Sequence, residues 1–259
     1  MLTKLFSRFT SDLNSISTPT PHYYNNWQTV EKQCDGYATA PVLESIVKAS
    51  KAVAQGDALY ERDGITHHSF AENAYLIAAL RHILTVEGQF QVLDFGGSLG
   101  SLYRQHRWFL SDFTNFVWCV VEQKSFVETG KRLFENNKLK FEETIAEAYK
   151  KHKPNLAIIS NSLQRMEHPF EVLEDLAKRD IPYLFIEQIP LIKSAENRII
   201  QSFFPAKKCK SSYPSWLFSE TKFKEKLRQY YHIINEFEAT EAHLSTNGVR
   251  RIGFFCKKI

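Results

Sequence analysis

The chain holds four cysteines in 259 residues, and no two form a Cys-x-x-Cys pair. Their scarcity and spacing exclude a zinc ribbon and a disulfide scaffold, and Cys34, Cys119, Cys209 and Cys256 suit a reducing cytoplasm. Long apolar runs are also missing: none approaches the roughly 20 residues that a membrane span requires. The opening residues, Met1-Leu-Thr-Lys-Leu-Phe-Ser-Arg-Phe9, lack the continuous apolar core and small-residue cleavage site of a secretory signal. Internal repeats and low-complexity tracts are absent, and so are the His-x-x-x-His and clustered-carboxylate patterns of a metal site.

What is present is the composition of a globular protein, with 43% hydrophobic and 24% charged residues. A chain of this length buries about three quarters of its unfolded surface, enough for one domain with an appended lobe or for two small domains. The net charge is only +4, but it is unevenly spread. Between Lys193 and Tyr231 nine basic residues face three acids, an excess of +6, which leaves the rest of the chain at −2. Such a stretch suits a solvated helix face or an anion-binding surface.

The pattern divides near residue 86. Residues 1–86 suggest a helical cap. Leu2, Leu5, Phe6, Phe9 and Leu13 form a stripe at helical spacing, suited to packing or to peripheral membrane contact. A helix is expected from Pro41 to a stop at Gly56, and another from Phe70 to Val86 with Gly88 as its stop. Between them lies an unusually charged turn, Tyr60-Glu61-Arg62-Asp63-Gly64. Residues 87–259 alternate short apolar runs with helical stretches: 91–95, 116–122, 139–143, 156–160, 183–187, 233–237 and 251–257. Continuous apolar strands separated by helices indicate an α/β fold, a mostly parallel Rossmann-like sheet covered on both faces. Asn247-Gly248 between the last two runs signals a C-terminal antiparallel hairpin.

Chemistry gathers at the end of the first strand of this sheet. Asp94-Phe95-Gly96-Gly97-Ser98-Leu99-Gly100 places three of the ten glycines within five residues, after a strand and before a helix. Glycines there permit a sharp turn and a close approach of ligand to backbone. A nicotinamide fingerprint, G-x-G-x-x-G, would need its first glycine at Phe95. The D-x-G-x-G-x-G of methyltransferases fits better, with Ser98 in place of the middle glycine. Glu122 ends the next strand 28 positions after Asp94, where a nucleoside-binding sheet receives ribose hydroxyls. Both nucleotide ligands contain ribose, so Glu122 alone does not separate them.

With these residues in hand, the region 91–257 resembles class I S-adenosylmethionine-dependent methyltransferases. More narrowly, the whole chain resembles a bacterial methyltransferase family of unassigned substrate, often linked to surface-polysaccharide gene clusters. The matching segments are Trp27, Cys34-Asp-Gly-Tyr37, Tyr60–Asp63, the Asp94–Gly100 loop, Ser160-Asn-Ser-Leu-Gln164 and Ser212-Tyr-Pro-Ser-Trp216. The resemblance implies a seven-stranded sheet, a helical N-terminal cap, and S-adenosyl-L-methionine held by Asp94, Gly96, Gly97, Gly100, Glu122 and Ser160. Where the family tends to carry Asp-Arg after the fifth strand, this chain has Glu187-Gln188.

The fourth strand ends Ser160-Asn161-Ser162, without the Asn/Asp-Pro-Pro-aromatic motif of nucleic-acid amino methylation, and no Pro-Cys pair offers a nucleophile. Nucleic acid is therefore not the expected substrate. Transfer of a methyl group to a hydroxyl needs an aligned nucleophile and a base. His168 after the fourth strand and Glu187 at the end of the fifth are the candidate bases. Arg62, Tyr213 and Trp216 are candidate acceptor contacts, and the basic stretch at about 193–230 suggests an anionic acceptor. The expectation is a cytoplasmic methyltransferase acting on a small sugar or glycan-precursor hydroxyl. The alternatives are a catalytically silent ligand-binding or scaffold protein on the same fold, and a nicotinamide-dependent oxidoreductase.

Overall fold

The structure is a computed structural model that describes residues 22–37, 39–69, 73–205, 211–239 and 248–259. The N-terminal stripe from Leu2 to Leu13, Lys207, Lys208, Lys210 and Asn247 lie outside the described residues.

Helix α1 (Trp27–Glu31) is short, and α2 (Ala40–Gln55) carries Pro41 in its first turn and ends at Gly56, as expected. The charged segment after it is a small hairpin of β1 (Tyr60–Arg62) and β2 (Ile65–His67). Helix α3 (Ala74–Glu87) is capped by Asn73, whose side chain accepts from Leu76 N, and it stops at Gly88. Then come β3 (Val92–Phe95), α4 (Ser101–Gln105), α5 (Arg107–Leu110), β4 (Trp118–Val121), α6 (Lys124–Leu133), β5 (Leu139–Glu142) and α7 (Ile145–His152). The C-terminal half adds β6 (Leu156–Ser160), α8 (Pro169–Lys178), β7 (Tyr183–Ile192), β8 (Arg198–Phe203), β9 (Ser212–Ser219), α9 (Glu220–Arg228), β10 (Tyr231–Glu238) and β11 (Val249–Lys258).

Seven strands lie in the order β10-β11-β7-β6-β3-β4-β5. The five from β7 to β5 are parallel, and β11 joins β7 antiparallel and closes the hairpin with β10. Two further strands, beyond the seven expected, form the β8–β9 hairpin, which attaches in parallel to the overhanging end of β7 through Leu191–Phe218 and Ile192–Ser219.

Strand residues alternate between two cores, as a period of two requires. Leu93, Cys119, Ala157, Ile159 and Leu184 join one cluster with α7, α8 and α9. Val92, Trp118, Val120, Leu156 and Ile158 join the other with α3, α4 and α5. Because both faces are covered, most positions of the central parallel strands are apolar. Each such side chain contributes about 1.5–3 kcal/mol relative to exposure.

The boundary expected near residue 86 does not separate two cores. Leu76, Leu80 and Ile83 of α3 pack in the same cluster as Val92 and Trp118. What lies over the carboxyl ends of the strands is α1, α2 and the β1–β2 hairpin. Trp27 of α1 stacks on Trp216 of β9, with ring centroids 5.6 Å apart. Glu61, buried in the hairpin, accepts from Ser101 Oγ at the start of α4 and from Gly64 N at 3.1 Å.

Candidate functional site

Parallel strands end at one edge, so Phe95, Val121 and Ser160 deliver their following loops to a single cleft of about 680 Å³. The loop after β3 forms its floor. Gly96 takes φ +72°, and a Cβ there would fall 2.4 Å from Ser162 Cβ. A Cβ on Gly97 would fall 2.4 Å from the Asp94 carboxylate, so only glycine lets this loop fold back on the acid. Ser98 takes φ +57°, a conformation glycine favours, and thereby keeps the turn that a glycine would otherwise supply.

Asp94 is fully buried, and Trp118 Nε1 donates to its Oδ2 at 2.9 Å. Burial pushes its carboxyl up to about 7, against the opposing pull of the Trp118 hydrogen bond and the Arg62 charge. Its Oδ1 has no hydrogen-bond partner among the described residues. Glu122 accepts from Ser98 N at 3.3 Å and Gln123 N at 2.9 Å, and burial raises its carboxyl as well.

The opposite wall comes from the cap. Arg62 donates to Gln105 Oε1 at 2.9 Å, and Asp63 follows it into the cleft. Tyr37 Oη donates to Asp63 Oδ1 at 2.8 Å, and Arg165 Nη2 lies 3.5 Å from Asp63 Oδ2. Burial would raise the Asp63 carboxyl, but Arg165 and the Tyr37 hydroxyl outweigh it and hold the group below its ordinary value. For Arg165 burial works the other way, and Asp63 overcomes it to keep the guanidinium charged. Among the described residues, seven carboxylates and two arginines line the cleft. Asp63, Ser98 and Asn161, all with positive φ, lie in its wall, where backbone strain collects at functional sites.

The candidate donor residues Asp94, Gly96, Gly97, Glu122 and Ser160 all line this cleft. Gly100 sits one turn behind, against Leu139. Arg62 and Tyr213 also line it, whereas Trp216 stands behind the wall and donates to Met166 O at 3.0 Å.

The two candidate bases require correction. His168 lies outside the cleft, its side chain 65% exposed at the start of α8 and 3.9 Å from Glu167. Glu187 is not a strand end, because β7 runs on to Ile192. A bulge there sets Ile186 opposite Phe254 and Ile189 opposite Ile252, with Gln188 at φ +61°. It leaves Glu187 buried, accepting from Ser160 Oγ at 2.7 Å and from Asn73 Nδ2. The described part of the basic stretch is elsewhere too. Lys222 pairs with Glu196, and Lys224 pairs with Glu220 and Glu236, at 2.7 and 2.8 Å; none of these lines the cleft. The residues that sequence reading passes over are Tyr37, Asp63 and Arg165. Each lies in or beside a segment that carries the family resemblance, which is the signal that could have found them.

No protein-family model and no curated protein sequence matches the chain. Among solved structures, the N-terminal domain of EvdMO1 with SAH bound superposes with a TM-score of 0.52 at 11% identity, over 83% of this chain and 96% of that one. The same domain in the presence of SAH and D-fucose gives 0.52 at 10% identity, over 85% and 100%. The [4+2]-cyclase SpnF gives 0.50 at 11%, over 84% and 94%. At such identities the likeness establishes the fold, which is the Rossmann-like methyltransferase fold. A cyclase among the matches shows that this fold alone does not define a reaction.

Proposed function

We propose that this chain is an S-adenosylmethionine-dependent methyltransferase acting on a hydroxyl of a small sugar or glycan precursor. The observation that carries the reading is the sign of the cleft's described lining: seven carboxylates against two arginines, with a buried, half-satisfied Asp94 at its floor. That lining suits a ligand with a sulfonium and an ammonium group. It opposes the pyrophosphate of a nicotinamide dinucleotide, whose two negative charges would meet fixed charges of the same sign. The SAH in the EvdMO1 domain structures supports the same ligand class. A silent scaffold is disfavoured because Ser98, at φ +57°, keeps the loop's course.

Glu122 would hold the ribose hydroxyls and Asp94 would face the donor's positive charge, while Gly96 and Gly97 let the loop pack against Ser162 and Asp94. When bound, S-adenosylmethionine supplies an electrophilic methyl group on a positively charged sulfur. The chain's own task is to align the acceptor hydroxyl and take its proton. We assign that proton to Glu167, which lines the cleft, receives a hydrogen bond from Gln28 Nε2, and has His168 Nε2 3.9 Å away. A hydroxyl of a sugar ring suits a wall that mixes Trp27, Tyr37 and Tyr213 with polar groups. Nucleic acid is not proposed, since a phosphodiester chain would be repelled. A cytoplasmic location belongs to the same proposal and rests on the free Cys34, Cys119 and Cys256.

Incubation with methyl-labelled donor and a panel of neutral sugars, acidic sugars and sugar nucleotides tests the reading. Label should move to a sugar hydroxyl, and that transfer should fail in Glu167→Gln. Donor binding without transfer to any acceptor would favour a ligand-binding protein.

A further inference from the structure

Arg165 is placed in the cleft, yet holding the donor gives it no role. Its guanidinium sits between two aromatic rings, 4.5 Å from the centroid of Tyr37 and 4.9 Å from that of Tyr213. A planar cation stacked between rings keeps its edge, where the N–H donors lie, for polar partners. Its side chain is only 15% exposed, so a partner for that edge must come from within the cleft. Among the described residues, Asp63 is its single carboxylate partner, reached by one nitrogen at 3.5 Å, the outer limit of a hydrogen bond. A guanidinium has five N–H donors and readily forms two parallel bonds, and beyond Asp63 the described residues add only the Tyr37 hydroxyl as a hydrogen-bond partner, which leaves donors for a ligand. Tyr37 also holds Asp63 from the other side, at 2.8 Å, which fixes the acid in that one-point contact.

We propose that Arg165, framed by Tyr37 and Tyr213, is the acceptor subsite for a carboxylate on the substrate, so that the substrate class is an acidic sugar. This deepens the methyltransferase reading and rests on it. Carboxylate and phosphate both match a guanidinium fork, but they differ in charge. A phosphate group carries about −1.5 to −2 at neutral pH, so the surrounding carboxylates oppose it more strongly than a singly charged acid. Only Arg62 offers a second cation in the described lining. Assignment to the acceptor follows from the partners: Arg165 touches the hairpin turn, Tyr37 and β9, and makes none of its polar or ring contacts with the Asp94–Ser98 loop.

The test uses the full chain saturated with SAH and measures the binding of three probes: D-glucuronate, D-glucuronamide and glucose 1-phosphate. Glucuronate should bind about tenfold or more tightly than either of the others, because only it offers a singly charged fork. Arg165→Lys and Arg165→Gln should each weaken glucuronate by about tenfold or more, since a point charge or an amide cannot replace the paired contact. SAH affinity should stay within about twofold in Arg165→Lys, which keeps the positive charge that acts on Glu122. Equal binding of acid and amide in the unaltered protein overturns the proposal without any variant, and so does tighter binding of the phosphate or no binding of glucuronate. Loss of SAH affinity in Arg165→Lys also overturns it, by moving the guanidinium to the donor's own carboxylate. Failure of SAH to bind the unaltered protein defeats the methyltransferase reading instead, and that is seen before any sugar is added.

Discussion

Trp118 reaches across from β4 and donates its indole N–H to Asp94 Oδ2 at 2.9 Å, while Asp94 Oδ1 finds no hydrogen-bond partner among the described residues. One bond does not offset burial, so the carboxyl titrates near 7 instead of 3.8. A raised acid pKa means that the folded chain holds the proton longer than the unfolded one. The ligand-free protein should therefore lose stability as pH rises from about 4 to about 7, by at most about 4 kcal/mol. Asp94→Asn removes the titration. Melting curves of the two proteins should run together near pH 4 and separate near pH 8, with the variant the more stable. Parallel curves would place the titration elsewhere.

The same proton opposes the donor. A cationic ligand favours ionised Asp94, so affinity for S-adenosylmethionine should rise with pH up to about 7, by up to about tenfold per unit, and then level off. The Arg62 charge helps to lower the Asp94 carboxyl, so Arg62→Ala should move the midpoint to higher pH. Calorimetric titrations across pH check both, and a midpoint unmoved in Arg62→Ala would separate Arg62 from the donor site.

Gly97→Ala puts a methyl group 2.4 Å from the Asp94 carboxyl, and Gly96→Val drives a branched side chain into Ser162 at a positive φ. Overpacking of this kind costs about 1–3 kcal/mol of stability. Both variants should remain folded and lose donor binding, as calorimetry alongside circular dichroism would show.

Lys222 and Lys224 of the basic stretch do not line the cleft, and Lys207, Lys208 and Lys210 lie outside the described residues. Lys222→Glu exchanges an exposed partner of Glu196 and should change acceptor KM little, since exposed pairs contribute about 0–1 kcal/mol. Reversal of Lys207, Lys208 and Lys210 to Glu is the informative change. Pro205 and Ser211 flank them, and Ser211 Oγ donates to the carbonyl of Gly36, a cleft residue. If these lysines draw in an anionic acceptor, the reversal raises its KM, and added salt does the same, because exposed charges are screened within about 10 Å at 0.1 M.

The strand positions and the donor loop were legible because they depend on local pattern. Val92–Leu93, Trp118–Val121 and Leu156–Ile159 are covered on both faces, so each reads as an unbroken apolar run. The β1–β2 hairpin has only three residues a side and polar Glu61 and Arg62 within it, which leaves no periodicity to read. In β9, Pro214 pairs opposite Gln201 and interrupts the usual strand signature. Glu187 was misplaced because a bulge turns one residue without altering composition, and β7 continues past it through Pro190. Arg165 escaped because its stacking partners, Tyr37 and Tyr213, lie 128 and 48 positions away in sequence.

The most direct test of the central claim is calorimetric titration of the full chain with S-adenosylmethionine, SAH and NAD, repeated for Glu122→Ala. One site should bind the first two and not NAD. In the variant both should weaken by about 1–3 kcal/mol, the loss expected when hydrogen bonds to a charged group are removed. Binding of NAD in preference to SAH, or no binding of either S-adenosyl compound to the unaltered protein, would contradict it.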